Sequence, residues 1–163
     1  MCTTGNSKHQ AAGAANSPDE CLAWQGLLER IPYARHLGLQ AQTDNGGVLI
    51  HLPYREALIG NFKLPALHGG VLAALIELTA RTAAQRRDKD HRCPRILDSH
   101  INYLRSAAIL PTFASAEIIR QGRRTSLVEV MCWQDNRAAP IASGRVQLLL
   151  PAVVATNTEA QEQ

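Results

Sequence analysis

Hydrophobic residues fill most of residues 71–80, which is the most apolar long stretch of the chain. An apolar stretch of this length without alternation predicts a helix that is buried on most of its faces. Basic residues Arg86 and Arg87 suit the negative end of a helix dipole, so the helix is predicted to run from His68 to about Arg87. One acidic residue, Glu77, interrupts the apolar stretch.

Alternating hydrophobic and polar residues on both sides of this helix predict β-strands. The predicted strands cover residues 39–44, 48–52, 95–104, 112–120, 126–134 and 141–150. The Asn-Gly-Gly sequence at residues 45–47 is typical of a hairpin turn, and residues 53–65 are predicted to form a loop. Near the start of the chain, Ser17 and Pro18 are typical of a helix N-terminus, and Gly38 ends that helical segment.

The order of these elements predicts an α+β fold, because two strands and one long buried helix precede a run of antiparallel strands. We expect a curved antiparallel sheet wrapped around one long central helix, which is the hotdog fold. One face of such a sheet stays partly uncovered, and this favours pairing of subunits. The domain is predicted to span residues 19–150, between a disordered tail at residues 1–18 and a C-terminal tail at residues 151–163.

The composition argues against several other classes of protein. The net charge of +3 is small and aromatic residues make up only 4%, which disfavours a nucleic-acid-binding protein. No secretory signal is visible in residues 1–18, and the apolar runs are shorter than the ~18 residues of a membrane span. The spacings of Cys2, Cys21, Cys93 and Cys132 fit neither a zinc site nor a disulfide framework. We therefore expect a soluble cytoplasmic protein with free thiols and without a metal site, a membrane partner or a nucleic-acid partner.

The start of the predicted central helix carries residues suited to acyl-transfer chemistry. Backbone N–H groups of Gly69 and Gly70 at a helix N-terminus can stabilise a developing oxyanion. The carboxylate of Glu77, kept in an apolar setting, can act as a base or as a nucleophile. An ordinary ion pair between Glu77 and Arg81, one helical turn later, is the alternative interpretation. His68 can either hold the loop or contact a substrate carbonyl.

Distance along the helix separates the two parts of this predicted site. Glu77 follows Gly70, Gly69 and His68 by seven to nine residues, which is ~10–13 Å at the rise of an α-helix. One helix therefore cannot bring its own glycine N–H groups and its own carboxylate to the same carbonyl group. Two antiparallel helices related by a two-fold axis could do so, and this predicts two equivalent composite sites in a dimer.

Four segments of the chain resemble, in the same order, those of the PaaI-like hotdog acyl-CoA thioesterase family. They are residues 61–83 with the His-Gly-Gly sequence and an acid nine residues after the histidine, residues 28–34 with Leu37 and Gly38, Asp98 with residues 101–107, and residues 122–124 with residues 128–130. The resemblance covers about residues 20–150. It implies a homodimer or a dimer of dimers, active sites between subunits, and Glu77 as the catalytic acid residue of the family motif.

The chain also departs from the family pattern at two positions. Relatives often carry Gln or Asn six residues before the histidine, whereas this chain has Phe62 there and Asn61 one residue further back. Asn61 is therefore the candidate to position a water molecule or the carbonyl oxygen. Its alternative role is that of a loop asparagine that bonds its own backbone. Some relatives have Thr or Ser four residues after the acid, where this chain has Arg81.

Several arginines are candidates to bind the phosphates of coenzyme A. Arg123 and Arg124 lie in a predicted hairpin turn, and Arg105 follows the predicted strand after the central helix. Guanidinium groups pair well with phosphates, and further basic residues occupy residues 86–95. The alternative is a charged turn that is simply solvated.

A serine hydrolase is excluded by the sequence around Ser99. Asp98, Ser99 and His100 are consecutive, but neighbours on a strand point to opposite faces, so Ser99 faces away from His100. The chain also lacks the Gly-x-Ser-x-Gly sequence that presents a nucleophilic serine in α/β-hydrolases.

The function that these residues favour is hydrolysis of acyl-CoA thioesters to free acid and coenzyme A. Glu77 would activate water as a general base, or would attack the thioester and form a mixed anhydride. Neither route requires a metal or a bound cofactor, and acyl-CoA is the expected small-molecule partner. The alternatives are a hotdog acyl dehydratase or hydratase and a non-catalytic acyl-CoA-binding protein. The length and type of the acyl chain are not predicted.

Overall fold

The computed structural model describes residues 18–44, 47–61, 63 and 65–152. The predicted turn at residues 45–46, Phe62 and nearly all of the two predicted tails lie outside the described residues.

Three helices begin and end close to their predicted positions. They are α1 at Pro18–Glu29, α2 at Pro32–Leu37 and α3 at Gly69–Arg87. Acidic residues Asp19 and Glu20 occupy the first turn of α1, where they interact favourably with the helix dipole. Gly38 closes α2 with a left-handed φ of +70°, a conformation that glycine adopts without the strain of a side chain. None of the described helices is both long and apolar enough to cross a membrane.

The strands include every strand predicted from the alternating pattern and two short ones besides. The structure contains β1 Gln40–Asp44, β2 Gly47–Leu52, β3 Ile59–Asn61, β4 Ala66–Leu67, β5 Arg95–Tyr103, β6 Thr112–Gln121, β7 Thr125–Trp133 and β8 Ala142–Leu149. The prediction of a plain loop over residues 53–65 is therefore wrong, because a 3₁₀ turn at Glu56–Leu58 and β3 lie within it. Short strands of two or three residues carry too few positions to display an alternating pattern.

The long strands form one antiparallel sheet in the order β1-β2-β6-β7-β8-β5. Strand β5, which follows α3 in the chain, lies at one edge of this sheet, and β3 pairs with β4 in a separate small sheet. Helix α3 packs against β5, β6, β7 and β8. This arrangement confirms the predicted α+β hotdog fold, in which a curved antiparallel sheet surrounds one long central helix.

The core lies between the sheet and α3. Inward-facing valines and leucines of β7 and β8 are fully buried against Leu75 and Ile76 of the helix, and each such side chain contributes about 1.5–3 kcal/mol when buried. Gly144 of β8 lies where the two layers approach most closely. A Cβ atom at position 144 would lie 2.5 Å from Cγ2 of Ile76, so any residue other than glycine would require Ile76 or the adjoining strand to shift.

A partly buried ion pair stabilises the loop that follows α3. The carboxylate of Asp88 accepts hydrogen bonds from Arg92 Nε at 2.9 Å and from Arg92 Nη2 at 2.6 Å. These hydrogen bonds hold the pKa of Asp88 below its ordinary value. Arg92 also donates to the carbonyl oxygens of Arg123 and Pro151, and thereby joins the loop to the β6–β7 turn and to the end of the domain.

Candidate active site

His68 caps the N-terminus of α3. The helix begins at Gly69, one residue later than predicted, and His68 remains extended at φ −63° and ψ 131°. Its Nδ1 accepts a hydrogen bond from the backbone N–H of Gly70 at 3.0 Å. Its own N–H donates to the carbonyl oxygen of Leu58 at 2.9 Å. His68 therefore makes contacts that fit the loop-holding role, whereas its contact with a substrate stays a prediction.

The backbone of β3 lies directly against His68. A Cβ atom at Gly60 would lie 2.7 Å from His68 Cα and 3.0 Å from His68 Cβ, so this strand passes the histidine only because position 60 has no side chain. The small β3–β4 hairpin thus determines where the capping histidine lies.

Glu77 lies on α3, two turns beyond the glycines, and is partly buried. Its Oε1 accepts a hydrogen bond from Ser99 Oγ of β5 at 2.6 Å. Arg81 points instead to Cys93, with Nη2 2.7 Å from Sγ. Among the described residues Glu77 has no ion pair, so the alternative that it simply pairs with Arg81 is wrong.

Helix α3 and strand β5 run side by side in opposite directions. The hydroxyl of Tyr103 donates to the carbonyl oxygen of Gly69 at 3.0 Å, and Ser99 meets Glu77 further along. Eight helical residues span ~12 Å and four strand residues span ~13 Å, so the two contacts are mutually consistent. Within one chain, Gly69 and Glu77 are therefore held ~12 Å apart along the helix.

Sequence reasoning missed the contributions of Ser99 and Tyr103. It placed Ser99 on the face opposite His100, and His100 is indeed exposed on the outer side of the sheet while Ser99 faces the helix. Ser99, Ile101 and Tyr103 share the face of β5 that meets α3. A polar residue on that face of the strand beside an acid-bearing helix was the signal that could have revealed the contact.

Asn61 is the last residue of β3, where its backbone pairs with Ala66. The position of its side chain lies outside what the structure describes, as does the neighbouring Phe62. The proposed role of Asn61 therefore stays a prediction.

The three candidate phosphate-binding arginines do not come together within one chain. Arg105 follows β5 near the His68 end of α3, and its Nη1 donates to the carbonyl oxygen of Pro140 at 2.6 Å. Arg123 and Arg124 lie exposed in the β6–β7 turn. Residue Thr125 pairs with the end of β8, and that end pairs with Arg95, so this turn lies at the opposite end of β5 from Arg105.

Within the part of the chain that the structure describes, one edge of strand β5 pairs with no other strand. Its apolar side chains include Leu97, which is 54% exposed, and Tyr103, which is 56% exposed. Leu97 lies at an irregularity between the pairs of Ile96 and Asp98 with β8. A nine-residue edge strand with exposed apolar residues is suited to pairing with another strand.

The described cysteines Cys21, Cys93 and Cys132 are not joined by disulfide bonds. Cys132 is fully buried, and burial raises the pKa of its thiol to about 12, so it stays protonated and unreactive at neutral pH. No cluster of three or more His, Cys, Asp or Glu side chains suited to a metal ion occurs within the described ranges of the chain.

Comparison with known proteins gives the same type of fold. Residues 64–141 match the family model of the thioesterase superfamily. A structure from Chromobacterium violaceum is 29% identical, with 85% of this chain and 93% of that chain covered and a TM-score of 0.64. No curated protein matches the chain.

Two more distant structures have the same fold. A thioesterase from Haemophilus influenzae is 21% identical, with 77% of this chain and 86% of that chain covered and a TM-score of 0.68. A protein from Shewanella oneidensis related to the thioesterase superfamily is 23% identical, with 82% and 96% covered and a TM-score of 0.67.

Proposed function

We propose that the chain is a member of the thioesterase superfamily, whose family model matches residues 64–141, and that it hydrolyses acyl-CoA thioesters to a free acid and coenzyme A. The family supports thioester hydrolysis in general. The coenzyme A carrier, the PaaI-like subgroup, the reacting residues and a partner subunit are the proposed part. The observation that carries the proposal is the partly buried carboxylate of Glu77, which has no ion pair among the described residues and is oriented by Ser99.

Glu77 supplies the base or the nucleophile. Ser99 donates to Oε1, so Oε2 is the oxygen that would accept a proton from water or attack the thioester carbon. In the first route water adds to the carbonyl and the thiolate of coenzyme A leaves. In the second route Glu77 displaces the thiolate of coenzyme A and forms a mixed anhydride, and water then cleaves the anhydride to the free acid and the Glu77 carboxylate.

The first turn of α3 supplies the groups that stabilise the oxyanion. The N–H groups of Gly69 and Gly70 lie at the positive end of the helix dipole. The N–H of Gly70 donates to His68 Nδ1, and the thioester oxygen would replace that nitrogen as its acceptor. His68 would then be free to contact the substrate, and Asn61 would position the attacking water.

A second subunit would complete the site through the free edge of β5. If two copies pair antiparallel with Ile101 on the two-fold axis, Ser99 of one copy lies opposite Tyr103 of the partner subunit. Glu77 lies beside Ser99, and the first turn of α3 at Gly69 lies beside Tyr103. This register would therefore bring Glu77 of one copy to the first turn of α3 in the other copy. The homodimer, or a dimer of dimers built from it, would contain two such sites.

The same register would also bring Arg105 of one subunit close to Arg123 and Arg124 of the other. It places the Arg105 end of one β5 beside the Arg95 end of the other, where Arg123 and Arg124 lie. Guanidinium groups from both subunits would then face the phosphates of one coenzyme A molecule.

Release of free thiol from a panel of short, medium, long and aromatic acyl-CoAs tests this function. We expect wild type to turn over at least one of them, and Glu77→Gln to lower kcat by about 10²-fold or more. Glu117→Gln is the matched control, because Glu117 is an exposed acid of β6, and it should retain full activity. Full activity of Glu77→Gln would contradict the assigned role.

The panel also includes an enoyl and a 3-hydroxyacyl thioester. Their interconversion without thiol release would identify a hydratase or dehydratase. Calorimetric binding of acyl-CoA without any turnover would identify a binding protein. Either result would overturn the proposed hydrolysis.

A further inference from the structure

Tyr103 holds the peptide unit that joins Gly69 to Gly70. Its hydroxyl donates to the Gly69 carbonyl oxygen at 3.0 Å. Its ring also lies against Gly69, since a Cβ atom there would be 3.4 Å from Tyr103 Cε1. The tyrosine therefore contacts the first residue of α3 through both its ring and its hydroxyl.

His68 holds the opposite end of the same peptide unit. The carbonyl of Gly69 and the N–H of Gly70 share one rigid plane and point in opposite directions. Tyr103 binds the carbonyl end and His68 Nδ1 binds the N–H end, so the orientation of the plane is fixed from both sides. A hydrogen bond to the carbonyl also polarises the unit and strengthens donation by its N–H.

The helix needs such support at this point. Two consecutive glycines begin α3, and glycine has greater backbone freedom than any other residue. When a substrate oxygen replaces His68 as the acceptor, only the carbonyl end of the unit remains held by a side chain. Tyr103 is the side chain that holds it.

We propose that Tyr103 is a positioning residue that aims the Gly70 N–H at the thioester oxyanion; this inference rests on the proposed function. Tyr103 itself touches no reacting atom. Negative charge on that oxygen develops fully only in the transition state, so a misaimed N–H reduces kcat and leaves substrate binding largely unchanged.

Tyr103→Phe is a clean test, because it removes only the hydroxyl and keeps the ring against Gly69. The substitution removes one hydrogen bond and keeps all ring contacts, so it should leave the thermal midpoint nearly unchanged. We expect kcat to fall about three- to tenfold at an unchanged KM, on an acyl-CoA that wild type hydrolyses. Tyr33→Phe is the matched control, since Tyr33 is an exposed tyrosine of α2 that stacks on His36, and it should behave as wild type.

Three results would distinguish failure of the positioning role of Tyr103 from failure of the proposed function. An unchanged kcat in Tyr103→Phe, with active wild type, would overturn the positioning role alone. A raised KM at unchanged kcat would also overturn it, because Tyr103 would then bind the body of the substrate. Absence of thiol release by wild type would refute the proposed function itself.

Discussion

Ser99 of strand β5 donates a hydrogen bond to Glu77 of helix α3 over 2.6 Å. This contact joins the edge strand of the sheet to the only acidic residue of the central helix. A hydroxyl that donates to a carboxylate forms a strong, charge-assisted bond, so it restricts the carboxylate to one orientation. The unpaired edge of the sheet and the proposed catalytic group are therefore part of one local structure.

Removal of this hydroxyl should impair catalysis without unfolding the protein. We expect Ser99→Ala to lower kcat about tenfold, because a hydrogen bond to a charged group contributes about 1.5–3 kcal/mol and part of that is recovered by water. Ser143→Ala, on the outer face of β8, should have no effect on kcat. Steady-state thiol-release kinetics of the two variants would check this, and an undiminished kcat in Ser99→Ala would show that Ser99 does not orient Glu77.

The proposed pairing of two β5 strands predicts a specific cross-link. With Ile101 on the two-fold axis, Ile101→Cys should form a disulfide between subunits under mild oxidation. Leu97→Cys should not, because its two copies would lie ~26 Å apart. Both variants are made with Cys2, Cys21 and Cys93 changed to Ser, and buried Cys132 is left in place because its thiol has a pKa of about 12.

Non-reducing gels and light scattering read out this experiment. We expect a covalent dimer for Ile101→Cys alone, and a non-covalent dimer or tetramer for wild type. Cross-linking of Leu97→Cys in its place would contradict the register, and a fully active monomer would contradict the composite site.

Because β8 approaches α3 closely at Gly144, a methyl group added at this position should lower the free energy of unfolding. Gly144→Ala should destabilise the protein by about 1–3 kcal/mol, because the added Cβ would come within 2.5 Å of Ile76 Cγ2. Gly26→Ala in α1 is the matched control. No atom lies within 4 Å of the Cβ that it would add, so this variant should be stabilised by up to about 1 kcal/mol.

Denaturant unfolding measures both glycine variants. In a protein that already carries Ile76→Ala, Gly144→Ala should lower the free energy of unfolding by less than it does in wild type, because Cγ2 of Ile76 is no longer present. If Gly144→Ala lowered the free energy of unfolding equally in wild type and in Ile76→Ala, Ile76 would not be the source of the destabilisation.

The ion pair of Asp88 and Arg92 predicts a dependence of stability on pH. Arg92 lowers the pKa of Asp88 in the folded state, so the folded protein binds the proton more weakly than the unfolded chain does. The stabilisation is therefore complete above the unfolded pKa of about 3.9 and is lost as the pH falls through the lower, folded pKa. Asp88→Asn should lower the thermal midpoint at pH 7 by about 5 °C.

Thermal unfolding between about pH 3 and pH 7 would measure this dependence. The difference in thermal midpoint between wild type and Asp88→Asn should become smaller as the pH falls. Asp90→Asn should change little at any pH, because Asp90 is exposed and its closest approach to Arg92 is 3.9 Å. A difference in thermal midpoint that stays constant with pH would show that the ionised Asp88 carboxylate does not stabilise the fold through Arg92.

Sequence patterns alone determined the α+β fold, because a helix and a strand each repeat over short distances along the chain. The buried helix, the long strands and the start of α3 at the His-Gly-Gly sequence were predicted within one or two residues. Repeats of this kind need at least four residues to be visible, so the short β3–β4 hairpin was missed.

The tertiary structure alone decided which groups Glu77 meets. The sequence offered Arg81 as its neighbour one turn away, whereas the folded chain gives it Ser99, 22 residues further on. The folded chain likewise brings Tyr103 into contact with Gly69, although the two residues are 34 positions apart in the sequence. Such contacts depend on how α3 lies against β5, and that alignment is fixed by packing across the whole sheet. Local sequence patterns record which face of an element is buried, but not which residue of another element lies opposite it.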